Sequence, residues 1–414
     1  MTLIEPFDRD PLQNIAGWLS IKPDLLYLVG NGDCIERSAN LYSRILRSKG
    51  LDKITVTSKK ANAYTIDDAV DFFVKIIKKY SPCVIDLFGG DELLITAAGI
   101  AYHTLKDEWE VSLQQVDVDL GQVISYDDDG TFVMGERISL TVKQSVALNG
   151  GVVTTEQSQP ARNYAARDID PIWNVLKSDT TNWNKKVSAL NLIESRGGCN
   201  GDELEVFMKV NTFKNTLPNE AEILALFDNL IKDLSRCGAI RLYQNNAGVY
   251  RYRYKNQLMR HCLKKAGNTL EHKVFFEVRE FAKSGKPFFN DCLMSVMLDW
   301  DGVVHNITGG PDVRDTRNEI DVMAMRGAIP LFISCKNGDI EEEELYKLHT
   351  VAHKIGGPFA KKILVATDYE PKRETTKLSF ERRAADMGIV FEPDAARLDA
   401  EGWRSLFERA FDEN

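Results

Sequence analysis

The feature that most restricts the fold is an alternation that begins at Thr2 and runs to about Thr141. Short apolar runs are separated there by amphipathic segments of helix length. Residues 3–4, 25–29, 54–57, 84–87 and 111–116 read as strands, and residues 11–19, 35–48, 66–79 and 93–105 as helices. A βαβα order implies a parallel sheet covered on both faces. Such sheets bind ligands outside the carboxyl ends of their strands, where loops meet helix N-termini. Three loops qualify: Phe7-Asp8-Arg9-Asp10, Gly30-Asn31-Gly32-Asp33 and Phe88-Gly89-Gly90-Asp91-Glu92. The Gly89-Gly90 pair is the most informative, since two glycines between a strand and a helix let backbone N–H groups approach a ligand. A tight turn with Asp91 as helix N-cap fits the same residues. Asp8, Asp10, Asn31, Gly89, Gly90 and Asp91 are the candidate ligand contacts.

A second concentration of chemistry lies at residues 318–338, NEIDVMAMRGAIPLFISCKNG, which reads as two strands around a turn at Arg326-Gly327. Side chains alternate along strands. Glu319, Asp321 and Met323 therefore share one face, with Ile320, Val322 and Ala324 on the other. In the second strand Phe332, Ser334 and Lys336 oppose Leu331, Ile333 and Cys335. Pairing the strands lets two carboxylates, a hydroxyl and an ammonium converge, an arrangement suited to holding a divalent metal against a phosphate. Asp321 supplies a hard oxygen ligand, and Lys336 can orient a water or stabilise charge growing on phosphorus. An ordinary Asp–Lys pair on the wet face of a hairpin fits the same pattern.

Elements around this stretch complete a sheet: a helix at 269–281, a strand at 293–300, a helix at 340–355 whose acids Glu341 to Glu344 suit its N-terminus, and strands at 363–366 and 389–391. Glu271 stands in the first turn of the leading helix, as a macrodipole-favoured glutamate or as a carboxylate near the metal. Residues 149–200 are polar and weakly patterned and read as a linker or irregular insertion. Residues 221–235 form an amphipathic helix. Residues 242–243, the turn Asn245-Asn246-Ala247-Gly248 and residues 249–255 follow as a two-stranded wing. Tyr250, Tyr252 and Tyr254 alternate with Arg251, Arg253 and Lys255. That ribbon either touches phosphates or buries its tyrosines beneath a solvated basic face.

The 318–338 stretch resembles the PD-(D/E)xK nuclease core, with Asp321 in the Asp position and Ser334-Cys335-Lys336 replacing (D/E)-x-K. NEIDV, LFISCKNG and ELYKLHTVAHKIGG together resemble a family of CRISPR-associated nucleases that join a CRISPR-associated Rossmann-fold (CARF) sensor to this core. The likeness is densest over residues 267–357 and thinner over the first ~140 residues. It implies an α/β protein with three parts: a Rossmann-like CARF domain at 1–148, a linker and winged-helix-like domain at 149–260, and a restriction-endonuclease-like domain at 261–414. The implied catalytic residues are Asp321, Lys336, Glu319 and Glu271, with Asp321, Ser334 and Cys335 at a Mn²⁺ or Mg²⁺ ion. The implied activator is a cyclic oligoadenylate, cyclic tetra-adenylate foremost, and the implied substrate is DNA, with single-stranded RNA as a further candidate. A symmetric cyclic ligand is best met by a twofold pocket, which implies a homodimer. Ser334 departs from the family's acidic pattern, so Glu319 or an acid of the 341–344 run is left to fill that role. Asp91-Glu92 stand where many relatives carry a hydroxyl and a lysine.

Composition sets the outer limits. A chain of 414 residues suggests two or three domains. No apolar run reaches spanning length, and MTLIEPFDRD lacks the plan of a signal peptide. Seven cysteines without a CxxC pair point to reduced thiols in a cytoplasm and away from zinc. The net charge of −9 counts against simple electrostatic binding of nucleic acid, so any basic surface must be local, as at Lys361, Lys362, Lys372, Arg373, Arg382 and Arg383. The alternative to a ligand-activated nuclease is a non-enzymatic CARF and winged-helix regulator with a degenerate nuclease fold.

Overall fold

The structure, a computed structural model, describes residues 1–32, 34–50, 53–127, 130–197, 203–246, 248–300, 317–370 and 374–412. Asp33 of the second loop, Ala247 of the wing turn, Lys372 and Arg373 lie outside the described residues. The α/β expectation holds.

Seven strands form the N-terminal sheet in the order Thr55–Lys60, Leu25–Gly30, Thr2–Pro6, Cys83–Asp86, Val111–Asp117, Gln122–Asp127, Gly130–Met134. The first five are parallel, because a helix separates each from the next in sequence and carries the chain back across the sheet. Helices Ala16–Ile21 and Ile35–Ser48 cover one face through Trp18 and Tyr42. Ile66–Tyr80 and Glu92–Leu105 cover the other through Phe73 and Ala98. The segment at 11–19 becomes helical only at Ala16. An antiparallel hairpin, unforeseen in the sequence, extends the sheet at Gln122–Asp127 and Gly130–Met134.

The C-terminal sheet has six strands in the order Ile389–Glu392, Lys361–Ala366, Ile329–Lys336, Arg317–Arg326, Asp291–Asp299, Val152–Thr155. Arg326 pairs with Ile329, so the hairpin loop is Gly327-Ala328, one residue beyond the expected turn. Gly327 supplies the positive φ of +64° that so short a loop demands. Helix Asn268–Glu280 packs on one face and helix Glu343–Gly356 on the other. Gly356 is required where that second helix meets the sheet, since a Cβ there would sit 2.5 Å from the Phe332 ring.

The segment read as a linker is ordered structure. Its strand Val152–Thr155 pairs with Asp291–Asp299, and helices Ser158–Arg162, Asp170–Ser178 and Thr180–Gly197 follow. The last buries Trp183, Val187, Leu190 and Ile193 along one stripe. Helix Glu220–Arg236 and the sheet Ile240–Asn246, Val249–Tyr254, Glu205–Lys209 complete a winged-helix-like unit. Its ribbon takes the packing alternative. Tyr252 and Tyr254 are fully buried, with hydroxyls donating to Glu194 at 2.5 and 2.6 Å. Glu205 faces Arg251 at 2.7 Å and Arg253 at 3.9 Å, so those charges are already met.

One apolar core joins the two large sheets. Leu3 and Leu26 of the first and Leu293, Val296 and Phe332 of the second belong to a single buried cluster. Helix Val142–Leu148 lies between them, capped by Thr141 and Gln144 and held by Asp291, whose carboxylate accepts the Val142 N–H at 2.8 Å.

Candidate active site

The acidic site forms where strand alternation fails. Met294 pairs with Val322 and Val296 with Ile320, leaving Ser295, at φ +47°, opposite Asp321. Val322 packs with Ile333 and Cys335 against helix Asn268–Glu280, whereas Ile320 packs with Met323 and Phe332 in the other core. Plain alternation had placed Ile320 and Val322 on one face. Asp321 sits at this break, half-buried, and its Oδ2 accepts the Cys335 N–H at 2.6 Å and makes a long contact of 3.4 Å with Ser334 Oγ.

Glu271 reaches the same place from the first turn of helix Asn268–Glu280. Burial, then the charges of Asp321 and Glu319, push its carboxyl up to about 8. Burial also pushes Asp321 up to about 6, against the Cys335 N–H and the nearby Lys336. Both shifts come from removing carboxylates from water, and for Glu271 from crowding as well. Lys336 is held at 2.6 Å by Glu344 Oε2. Burial would raise Glu344, but hydrogen bonds from Lys336 and Lys347 outweigh it and hold that carboxyl below its ordinary value.

Of the residues expected at a metal, Asp321 and Ser334 touch. Cys335 contributes its backbone N–H. Its thiol is buried and is pushed well above its ordinary value by burial, then by Asp321 and Glu271. Glu319 is exposed at the rim. Among the described residues no three His, Cys, Asp or Glu side chains are grouped to hold a metal ion. The donor set nevertheless fits a hard divalent cation at Asp321 and Glu271, two crowded oxygen donors whose nearby ammonium is paired elsewhere. Within the acidic run only Glu344 meets Lys336; Glu342 pairs with Arg383 and Glu343 with Lys347. Sequence reasoning missed Asn337, which donates to the Ala266 carbonyl at 2.7 Å and accepts from Thr367. This tie fixes the end of the Lys336 strand against the turn that starts the Glu271 helix.

At the N-terminal sheet the loops are shaped by their own side chains. The Asp8 carboxylate accepts the Gly90 N–H at 3.0 Å and the Asp10 N–H at 2.7 Å, so the Gly90 N–H expected to greet a ligand is already engaged. Gly90 has φ +119°, and a Cβ would lie 2.6 Å from that of Pro6. Asp91 caps helix Glu92–Leu105. The Asn31 side chain bridges the backbone of Ala63. Both therefore hold structure, and Gly89 is buried under Gln13, where a Cβ would lie 2.7 Å from that of Gln13, while the half-buried Asp10 stays at the loop surface beside the exposed Arg9.

Beneath these loops Glu5 and Asp86 are fully buried. Asp86 accepts from Gln114 at 2.5 Å, whereas neither Glu5 oxygen has a hydrogen-bond partner among the described residues. Burial, then Asp86 and Asp8, hold the Glu5 carboxyl well above its ordinary 4.5. The folded state thus keeps a proton that the unfolded chain releases, and stability falls as pH rises from about 4.5 until the folded value is passed. Glu5→Gln is expected to leave the melting temperature unchanged near pH 4 and to raise it at pH 8, by about 1 °C per kcal/mol for a chain of this length. Calorimetry at the two pH values reads the difference.

No family model and no curated protein matches the chain. Among solved structures, protein VC1899 from Vibrio cholerae superposes with a TM-score of 0.70 at 15% identity, covering 99% of this chain and 97% of that one. Can2 from Sulfobacillus thermosulfidooxidans, in complex with cyclic tetra-adenylate, does so with a TM-score of 0.62 at 15% identity and the same coverage. The chain has their fold. That fold runs through both sheets and the middle unit, so the likeness is of whole architecture and not of one domain. Among the described residues no helix is long and apolar enough to cross a membrane.

Proposed function

We propose that the chain is a metal-dependent endonuclease activated by a cyclic oligoadenylate, cyclic tetra-adenylate foremost, and acting on DNA in type III CRISPR defence in the cytoplasm. Single-stranded RNA is the second candidate substrate. The observation that carries the reading is the pair Asp321 and Glu271, crowded in a dry site beside Lys336. A Mn²⁺ or Mg²⁺ ion bound there would supply a Lewis acid and lower the pKa of a bound water. The protein's own part is positioning. The Cys335 N–H aims the Asp321 carboxylate, the Asn337 tie sets the distance between Glu271 and Lys336, and Lys336 stabilises charge developing on a phosphate once it leaves Glu344.

Residues 1–148 serve as the sensor, 149–260 as the winged middle and 261–414 as the nuclease, with strand Val152–Thr155 lent to the nuclease sheet. Support for the activator comes from the likeness to Can2, solved in complex with cyclic tetra-adenylate, and from the loop that sets the half-buried Asp10 beside the exposed Arg9. Control runs through a short path. Phe88, beside Gly89, lies 6.0 Å from Phe359 between ring centroids. A Cβ at Gly357 would sit 3.6 Å from Asp10 Oδ1. That loop ends helix Glu343–Gly356, whose other end carries Glu344 and its grip on Lys336. The test is purified protein with plasmid, Mn²⁺ or Mg²⁺, and cyclic tetra-adenylate. Cutting is expected only with both metal and ligand, from a homodimer in light scattering. Failure to cut under every combination would leave the regulator reading, and a monomer with and without ligand would refute the twofold pocket.

A further inference from the structure

Two adjoining cavities open along the seam between the N-terminal and C-terminal sheets. The one of about 510 Å³ is lined by Arg137, Lys283, Lys286 and Arg326, and the one of about 710 Å³ by Lys361 and Lys362. Val118 and Asp119 line both, and Asp119 is the only carboxylate-bearing residue in either wall among the described residues. Acids outnumber bases 61 to 52 over the whole chain, whereas the seam's lining carries six cations, Lys283 among them paired with Glu408, to one acid.

From this juxtaposition we propose that the seam is a track for the phosphate backbone of a single nucleic-acid strand. The inference rests on the nuclease reading and adds the route by which substrate is held. The cations differ in how they are supported. Arg137 and Lys286 are exposed. Lys283 is paired with Glu408 at 2.8 Å. The Arg326 guanidinium lies over the rings of Phe288 and Phe411, at 4.5 and 4.9 Å from their centroids. That stacking fixes the planar head without neutralising it. Burial, then Lys361, hold the Lys362 ammonium below its ordinary value, a crowding that an anion relieves.

Size selects the strandedness. Cavities of this volume are of small-ligand scale, which admits the phosphates of one strand but not the body of a duplex. Arg326 lies about five residues along its strand from Asp321, roughly 17 Å at strand rise. Residues 322–325 between them are buried, so a nucleic-acid strand running from the groove to the acids must pass round the sheet and takes more than about five nucleotides at 3.4 Å each.

Binding of a labelled oligothymidylate, followed by anisotropy in EDTA across a salt series, tests this without cleavage. The Arg137→Gln/Lys286→Gln double variant is expected to bind more weakly and to lower the slope of log K against log salt by about 1.4, or ~0.7 per lost contact. Asp119→Asn is expected to tighten binding, a gain that a merely structural loop residue would not give. An unchanged slope, or weaker binding by Asp119→Asn, overturns the track. An equal slope loss on a hairpin duplex overturns its single-strand character. A double variant whose light-scattering mass falls to that of a monomer overturns it in favour of a subunit interface. If the slope responds but no metal and ligand produce cutting, the track stands and the nuclease reading falls; cutting with an unchanged slope gives the reverse.

Discussion

Asp321→Asn is expected to cut cleavage by about 10³-fold or more while leaving ligand binding and fold intact. Removing one well-placed charge-stabilising group from an active site costs about 10²–10³-fold, and in the proposed function the group would also anchor the metal. The fold should survive because an amide oxygen can still accept the Cys335 N–H that now reaches Asp321 at 2.6 Å. Losing a charge from a site where burial already disfavours it carries no stability penalty. Lys336→Ala supplies the contrast: it should lower the rate without a comparable loss of Mn²⁺ affinity, because Lys336 is not a ligand. Single-turnover cleavage and metal titration of the two variants separate the roles. Near-wild-type cutting by Asp321→Asn would remove this site from the account.

Phe359→Ala is expected to uncouple the nuclease from its messenger. Driving a two-state equilibrium from about 1:99 to 99:1 takes roughly 5.5 kcal/mol of differential ligand binding. An aromatic pair such as Phe88 and Phe359, 6.0 Å apart, contributes ~0.5–1.5 kcal/mol beyond the area it buries. Losing that contact should raise the cyclic tetra-adenylate concentration needed for half-maximal cutting by about tenfold, since ~1.4 kcal/mol is one decade. The apparent dissociation constant of the ligand should rise by a similar factor, although Phe359 lies in the C-terminal half, because in a two-state protein apparent affinity scales with the competent fraction. Gly90→Val should raise both values together, since a Cβ there collides with Pro6 and distorts the loop itself. Equal dose–response curves for wild type and Phe359→Ala would place the signal elsewhere, for example through the winged middle.

The parallel sheet was legible because burial and periodicity agree there. Thr2–Pro6 and Cys83–Asp86 are buried at every position, and helix Ile35–Ser48 keeps the bounds its pattern implied. Asp321 and Lys336 were legible as residue types near one hairpin, but their exact facing was not. The break at Ser295 puts a serine in left-handed backbone, which no alternation rule anticipates. Choosing Glu344 from four consecutive acids depends on helix phase relative to Lys336, a tertiary fact. The helix Thr180–Gly197 was hidden differently. Its apolar stripe is present at helical spacing, but the intervening Asn and Lys residues dilute it. Strand Val152–Thr155 has only four residues and gains its place from a partner some 140 positions away.

The shared core between the sheets bears on how such a molecule can be recombined. Leu140, Val142 and Val146 are buried against both halves at once, and the Leu140 N–H is donated to the carbonyl of Gly327 in the hairpin of the C-terminal sheet. The N-terminal and C-terminal sheets are therefore not cassettes on a string. Cutting the chain near residue 148 would strip an apolar wall from each part, and the fragments would meet solvent with faces built for each other. A graft that exchanges the N-terminal sheet for another must carry the Val142–Leu148 helix and the 357–360 loop across the joint. Replacing the ligand loops in place, and leaving the wall untouched, is the route the architecture favours.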